Sequence, residues 1–281
     1  MNPNQTRSGN TVPGSIAQIG IITKYTFLDY FRSRRFLVLV FITALIGILL
    51  TAAIGYYRPA ALISDSLSFY SSWWGNVTTF VIILTGIFFG GDAISGEFQN
   101  KTGYFSIPNP IRRSSIYVGK FLAALIASTL ILAIFTVITV GNGLYYFPSG
   151  IPYQFGESLL FSWVYLVAVL GFTFFFSSIF KSSAISILVT VILFLFGFNI
   201  IDVVVSTFAH VEPWFILTYG AAILSSVFTV PYPPHVTTIN AGPITLTTYV
   251  ATIPEGLTIM IVYFAVTIVL GLLFFERKEF T

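Results

Sequence analysis

The run FLVLVFITALIGILLTAAIGYY, residues 36–57, decides how the rest of the chain is read. It carries no charge, and thirteen of its residues are Leu, Ile, Val or Phe. Those side chains contribute roughly −4 to −8 kcal/mol of insertion free energy on the translocon scale, against about 3 kcal/mol for one central Asp. A helix of about 20 apolar residues crosses a hydrocarbon core, so this run is predicted to span a bilayer. Five more stretches qualify: residues 73–91, 121–141, 159–180, 184–204 and 256–275. The composition agrees. The chain is 56% hydrophobic and 8% charged, where a soluble domain carries about 25% charge, and its mean hydropathy is +0.90. So few charges do not cover a water-exposed surface. The pI near 9.0 is therefore a membrane signal, not a nucleic-acid one. Cysteine is absent, which excludes a disulfide framework and thiolate metal sites.

Lys and Arg set the expected orientation. With the N terminus in the cytoplasm, Arg7, Lys24, Arg32, Arg34, Arg35, Lys101, Arg112, Arg113, Lys120, Lys181, Arg277 and Lys278 fall inside, and only Arg58 falls outside. This is the pattern of a multi-pass plasma-membrane protein with both termini cytoplasmic. Arg7 to Arg35 precede the first apolar run, which reads as a retained span, not a cleaved signal. Residues 213–230, PWFILTYGAAILSSVFTV, are long and uncharged enough to be a seventh span. That would move Arg277 and Lys278 outside, so an outer helix or re-entrant hairpin is expected instead, its backbone covered by protein.

The predicted fold is an all-α polytopic membrane protein of six transmembrane helices. Residues 1–14 read as a disordered tail. Residues 15–35 read as an amphipathic helix in the inner headgroup layer, with Ile16, Ile19, Phe27, Tyr30 and Phe31 on one side and Gln18, Thr26, Asp29 and Arg32 on the other. Residues 36–275 hold the spans, with a polar loop at 92–120 and an outer loop containing a hairpin at 205–255. Residues 276–281 form a cytoplasmic tail.

The span centres lack ionisable residues. Ion-driven carriers and voltage sensors place charge there, and metal-using membrane enzymes need His, Asp or Glu clusters, none of which is visible along the sequence. No catalytic or metal-binding residues are assigned. Gly119-Lys120 is no phosphate loop, because Phe121 follows it and Ser114 stands where the first glycine belongs. Gly86 and Gly90 are spaced for close helix packing. Asn76, Thr190 and Asn199 are candidate path-lining groups, equally suited to bonds between helices.

The polar island is DAISGEFQNKTGYFSIPNPIRRSSIYVGK, residues 92–120, which concentrates six charges between two apolar runs. Its first half suits a short helix standing clear of the membrane, ended by Pro108 and Pro110. Arg112, Arg113 and Lys120, like Arg32, Arg34 and Arg35, suit anchors at the depth of lipid phosphates.

This stretch resembles the ABC-2 type permeases, the membrane subunits of ATP-binding cassette transporters. The residues that carry the likeness are Ile94-Ser95-Gly96-Glu97, then Asn100-Lys101-Thr102, Pro110-Ile111-Arg112, Ile116 and Gly119-Lys120. Tyr104-Phe105 departs from a Leu-Leu pair usual in the family. The resemblance implies a coupling helix between spans 2 and 3 that docks on a separate P-loop ATPase. Glu97, Gln99, Lys101 and Thr102 would be contacts and Lys181 a second, smaller one. It further implies two ATPase copies holding ATP and Mg, no cofactor on this chain, and a second permease copy or homologue to complete the path. The alternative from the residues alone is a non-transport anchor or assembly subunit that recruits a cytoplasmic partner.

Overall fold

The computed structural model describes residues 14–58, 65–100, 112–148, 150–241 and 244–278. Nearly all of the expected disordered tail lies outside them. Helix α1 is Ser15–Arg32 and α2 is Arg34–Tyr57. Ser33 separates them, and its side chain accepts from the Phe36 N–H, capping α2. Helix α3 covers residues 66–90 as Ser66–Tyr70, a π turn Ser71–Gly75, and Asn76–Gly90. Then come α4, Ser95–Gln99, α5, Arg113–Tyr146, and α6, Tyr153–Ile179. Helix α7 covers Ser183–Phe208 and contains π turns at Leu193–Gly197 and Val204–Phe208. Two short helices, α8 (Leu217–Ala221) and α9 (Ile223–Ser226), precede strands β1 (Val236–Ala241) and β2 (Ile244–Tyr249). Helix α10 is Ile253–Arg277.

Among the described residues, six helical stretches are long and apolar enough to cross a membrane: α2, α3 continued into α4, α5, α6, α7 and α10. Helix α6 is the centre of the bundle. Tyr165, Leu166, Ala168, Val169, Leu170 and Phe174 are fully buried against α10, α3 and α5. Helices α2 and α7 lie at the periphery and expose Leu37, Phe41 and Ile48, and Leu188, Phe196 and Ile200, the apolar surface a lipid-facing helix presents.

Between helices in lipid the hydrophobic effect does not select neighbours, so close backbone approach matters. Gly86 and Gly90 make that approach to α6. A Cβ at Gly86 would lie 2.5 Å from Val169 Cγ1, and one at Gly90 would collide with Thr173 Oγ1 and lie 2.9 Å from Thr173 Cβ. Residues 213–230 do not span. Helix α9 instead packs on α3, where a Cβ at Gly75 would meet Ser225 Cβ at 2.7 Å. Helix α8 packs on α10, where a Cβ at Gly256 would lie 2.7 Å from the Gly220 carbonyl oxygen. Trp74 Nε1 donates to Ser158 Oγ (2.9 Å), and Ser158 donates onward to the Leu224 carbonyl (2.6 Å). Ser158 of α6 thus satisfies the buried indole N–H of α3 and ties α6 to this segment.

Two expectations are corrected. Gln18, expected on the polar face of α1, is buried against the bundle, while Ile16, Tyr25 and Phe31 are exposed. The protein-facing side is set by Gly119 of α5, which leaves room for Ile22 (2.7 Å from a would-be Cβ), and by Gln18, which accepts from the Arg112 N–H at 3.3 Å. An amphipathic pattern read against lipid alone misses this protein-facing side. The segment between α7 and α10 also contains an antiparallel strand pair, with Val236 opposite Tyr249, that an all-helical reading did not foresee.

Replacing Gly90 by Ala is expected to destabilise the bundle by about 1–3 kcal/mol through overpacking. Gly156→Ala, with no neighbour within 4 Å, is expected to be neutral or mildly stabilising. Thermal melting of the two variants in the same detergent checks the contrast.

Candidate functional site

The polar island folds back onto the bundle. After α3 ends at Gly90, residues 91–94 turn and α4 begins. A helix leaves its first N–H groups without partners, and here another helix supplies one. Ser177 Oγ of α6 accepts from both Ile94 N and Ser95 N at 2.9 Å, and lies 3.2 Å from Ser95 Oγ. Ser95 is fully buried. The helix therefore does not stand clear of the membrane domain as expected.

Glu97, Phe98 and Gln99 of α4 each engage a different helix. Glu97 pairs with Lys120 of α5, and the same ammonium donates to the Ala93 carbonyl at 2.9 Å. This pair is half-sheltered, with side-chain exposures of 16% and 20%, so water screens it less than an exposed pair. Phe98 packs its ring edge-on to Phe275 of α10 at 6.2 Å. Gln99 Oε1 accepts from Ser183 N at 2.7 Å, capping α7.

Lys278 closes the arrangement. Its Nζ donates to the carbonyls of Ser178 (2.9 Å), Ile179 (3.2 Å) and Phe180 (2.8 Å), the unpaired C-terminal carbonyls of α6. It also lies 4.2 Å from the Phe98 ring centre. Burial, and then the Lys181 ammonium, pulls its amine down to about 8. Arg113 donates to the carbonyls of Glu276 (2.8 Å) and Lys278 (3.0 Å), joining the start of α5 to the end of α10. Arg35 pairs with Asp92, joining α2 to the turn before α4. One end of the molecule, the basic end, is thus a polar network that ties α4 to α5, α6, α7 and α10.

Residues 21–280 match the family described as ABC-2 family transporter protein. The chain belongs to the ABC-2 transporter family. A comparison with curated proteins finds no match. The protein is a multi-pass permease component of such a transporter, and its motif residues acquire physical roles. Glu97 and Lys120 are partners, and Gly119 is the space into which Ile22 of α1 fits.

The expected coupling residues divide. Glu97 is engaged internally, Gln99 is exposed while capping α7, and Lys181 is exposed in the link between α6 and α7. Lys101 and Thr102 lie outside the described residues. Of the expected headgroup anchors in this permease, Arg32, Arg34 and Arg112 are exposed. Arg35, Arg113 and Lys120 make the internal contacts above. Asn76 and Asn199 are exposed, and Asn199 Nδ2 donates to the Leu195 carbonyl (3.2 Å). Thr190 is buried, its hydroxyl donating to the Ser186 carbonyl (2.8 Å). No hydrogen bond joins any two of these three among the described residues. At the opposite end a polar cleft of about 450 Å³ is lined by Asp65, Ser68, Ser71, Ser72 and Thr229.

Sequence reasoning missed Ser177, Ser183 and the structural use of Lys278. A serine within an apolar run gives no signal of its target, although a basic residue just past a helix end does suggest a carbonyl cap.

Lys120→Met is expected to lower the melting temperature in detergent by removing the ammonium that Glu97 and the Ala93 carbonyl share. The exchange of the two charges, Glu97→Lys with Lys120→Glu, is expected to recover part of the loss. A swap no more stable than Lys120→Met alone would show that the pair contributes nothing.

Proposed function

We propose that this permease is half of an ATP-driven exporter and that α4 is its coupling helix. The observation that carries the reading is that one five-residue helix bonds to, or packs against, four membrane helices: α5 through Lys120, α6 through Ser177, α7 through Ser183 and α10 through Phe275. A push on such an element acts on all four at once. A helix serving only to connect α3 and α5 needs no such ties. With the basic end in the cytoplasm, as Lys and Arg placement favours, the exposed tip at Gln99 and Asn100 faces a soluble partner, with exposed Lys181 in the neighbouring link between α6 and α7. That partner is a P-loop ATPase in two copies, supplying the ATP and Mg chemistry. A second copy of the permease, or a homologue, completes the path. The apolar spans favour apolar or amphipathic cargo.

Tip and interior separate in experiment. Gentle purification from native membranes is expected to bring down a P-loop ATPase. Asn100→Trp, at the exposed end of α4, is expected to cut its recovery about tenfold without changing the melting temperature of the permease. Glu97→Arg is expected to lower both, because Lys120 then loses its partner. Recovery of a partner that is no ATPase would replace this reading with that of an anchor or assembly subunit.

A further inference from the structure

We propose that Glu212, His235 and Glu255 form a binding site for a divalent transition-metal ion of the zinc class at the end of the molecule opposite α4. The three come from separate segments. Glu212 follows α7, His235 directly precedes β1, and Glu255 lies in the first turn of α10. The fold brings one ligand atom of each to within 4.8 Å of the others. His235 Nε2 lies 3.3 Å from Glu212 Oε2, and Nδ1 on the other side of the ring lies 4.0 Å from Glu255 Oε2.

Each ligand is oriented by a further group, as metal ligands characteristically are. The Val250 carbonyl only accepts, so its 2.9 Å contact with His235 Nδ1 places the ring proton there. That tautomer leaves the Nε2 lone pair beside Glu212 Oε2, where a cation satisfies it. The ring is fixed because Val250 N also donates to the His235 carbonyl (2.9 Å), pairing the two residues at the base of the hairpin. Tyr219 donates its hydroxyl to Glu212 Oε1 at 2.7 Å. Glu255 Oε2 accepts from Thr252 N at 3.1 Å in the capping box of α10.

The sequence supplies an independent reason. Residues 205–255 contain no Lys or Arg, so within this loop only the His235 imidazole stands against the two adjacent carboxylates. One imidazole and two carboxylates are a zinc-type donor set, with a fourth position open to water. Calcium prefers six to eight oxygens. Side-chain exposures of 39% for His235, 27% for Glu212 and 24% for Glu255 let an ion enter without opening the fold. A bound ion would clamp the end of α7, the hairpin and the start of α10 together.

The test uses the full chain in detergent, stripped with EDTA and carrying no polyhistidine tag. Titration with ZnCl₂ is expected to raise the melting temperature and to load one ion per chain by elemental analysis, with nitrogen and oxygen neighbours in X-ray absorption. His235→Ala and Glu212→Gln are expected to weaken Zn²⁺ binding by at least about tenfold while leaving the metal-free melting temperature near that of the parent. Because Glu255 also caps α10, these two variants carry the test. No stoichiometric Zn²⁺, binding unaffected by either variant, or equal response to Ca²⁺ would overturn the proposal.

Discussion

The placement of α4 at the basic end rests on the ion pair between Glu97 and Lys120. In a membrane domain the spans share one chemistry, so apolar contact alone chooses poorly among neighbours. Specific register must come from polar groups at the helix ends and from points of close backbone approach. Lys120 sits inside the first turns of α5, yet its ammonium reaches both Glu97 and the Ala93 carbonyl. That fixes where α4 starts, and the start in turn places Ser95 on Ser177, Phe98 on Phe275 and Gln99 on Ser183. Remove the pair and the remaining contacts lose their common reference.

The opposite end solves a different problem. A long uncharged segment must remain near the membrane without spanning it, and its irregular backbone must be covered. Glycines at 75, 220 and 256 let α8 and α9 lie directly on α3 and α10, and Ser158 relays the Trp74 N–H to the Leu224 carbonyl. The hairpin then extends from this platform. Its base is pinned by the His235–Val250 pair, which also brings His235 to Glu212 and Glu255.

The spans and the gathering of Lys and Arg at one end were legible because each is a local property of the chain. So was the lack of a membrane-length helix at 213–230, an expectation that rested on charge placement. What stayed hidden was pairwise. Gln18 looks like a solvent-facing residue until Arg112 and Gly119 are brought beside it. Ser177 is one hydroxyl among many in an apolar run. Glu212, His235 and Glu255 are far apart along the chain, and no spacing links them. The strand pair lies in a loop rich in Thr and Pro, where composition gave only an irregular connection. The π turns in α3 and α7 left no sequence mark that periodicity detects.

The docking of α4 on α6 is the claim on which the coupling account stands. The chain has no cysteine, so Ser95→Cys with Ser177→Cys introduces one addressable pair. Ser95 Oγ and Ser177 Oγ lie 3.2 Å apart, within reach of a disulfide after small adjustment. Oxidation in native membranes, followed by mass spectrometry of the linked peptides, measures the contact directly. The account predicts near-complete intramolecular linkage with normal yield of folded protein. Free thiols after oxidation, with the cysteine at position 95 labelled by a water-soluble maleimide, would contradict it.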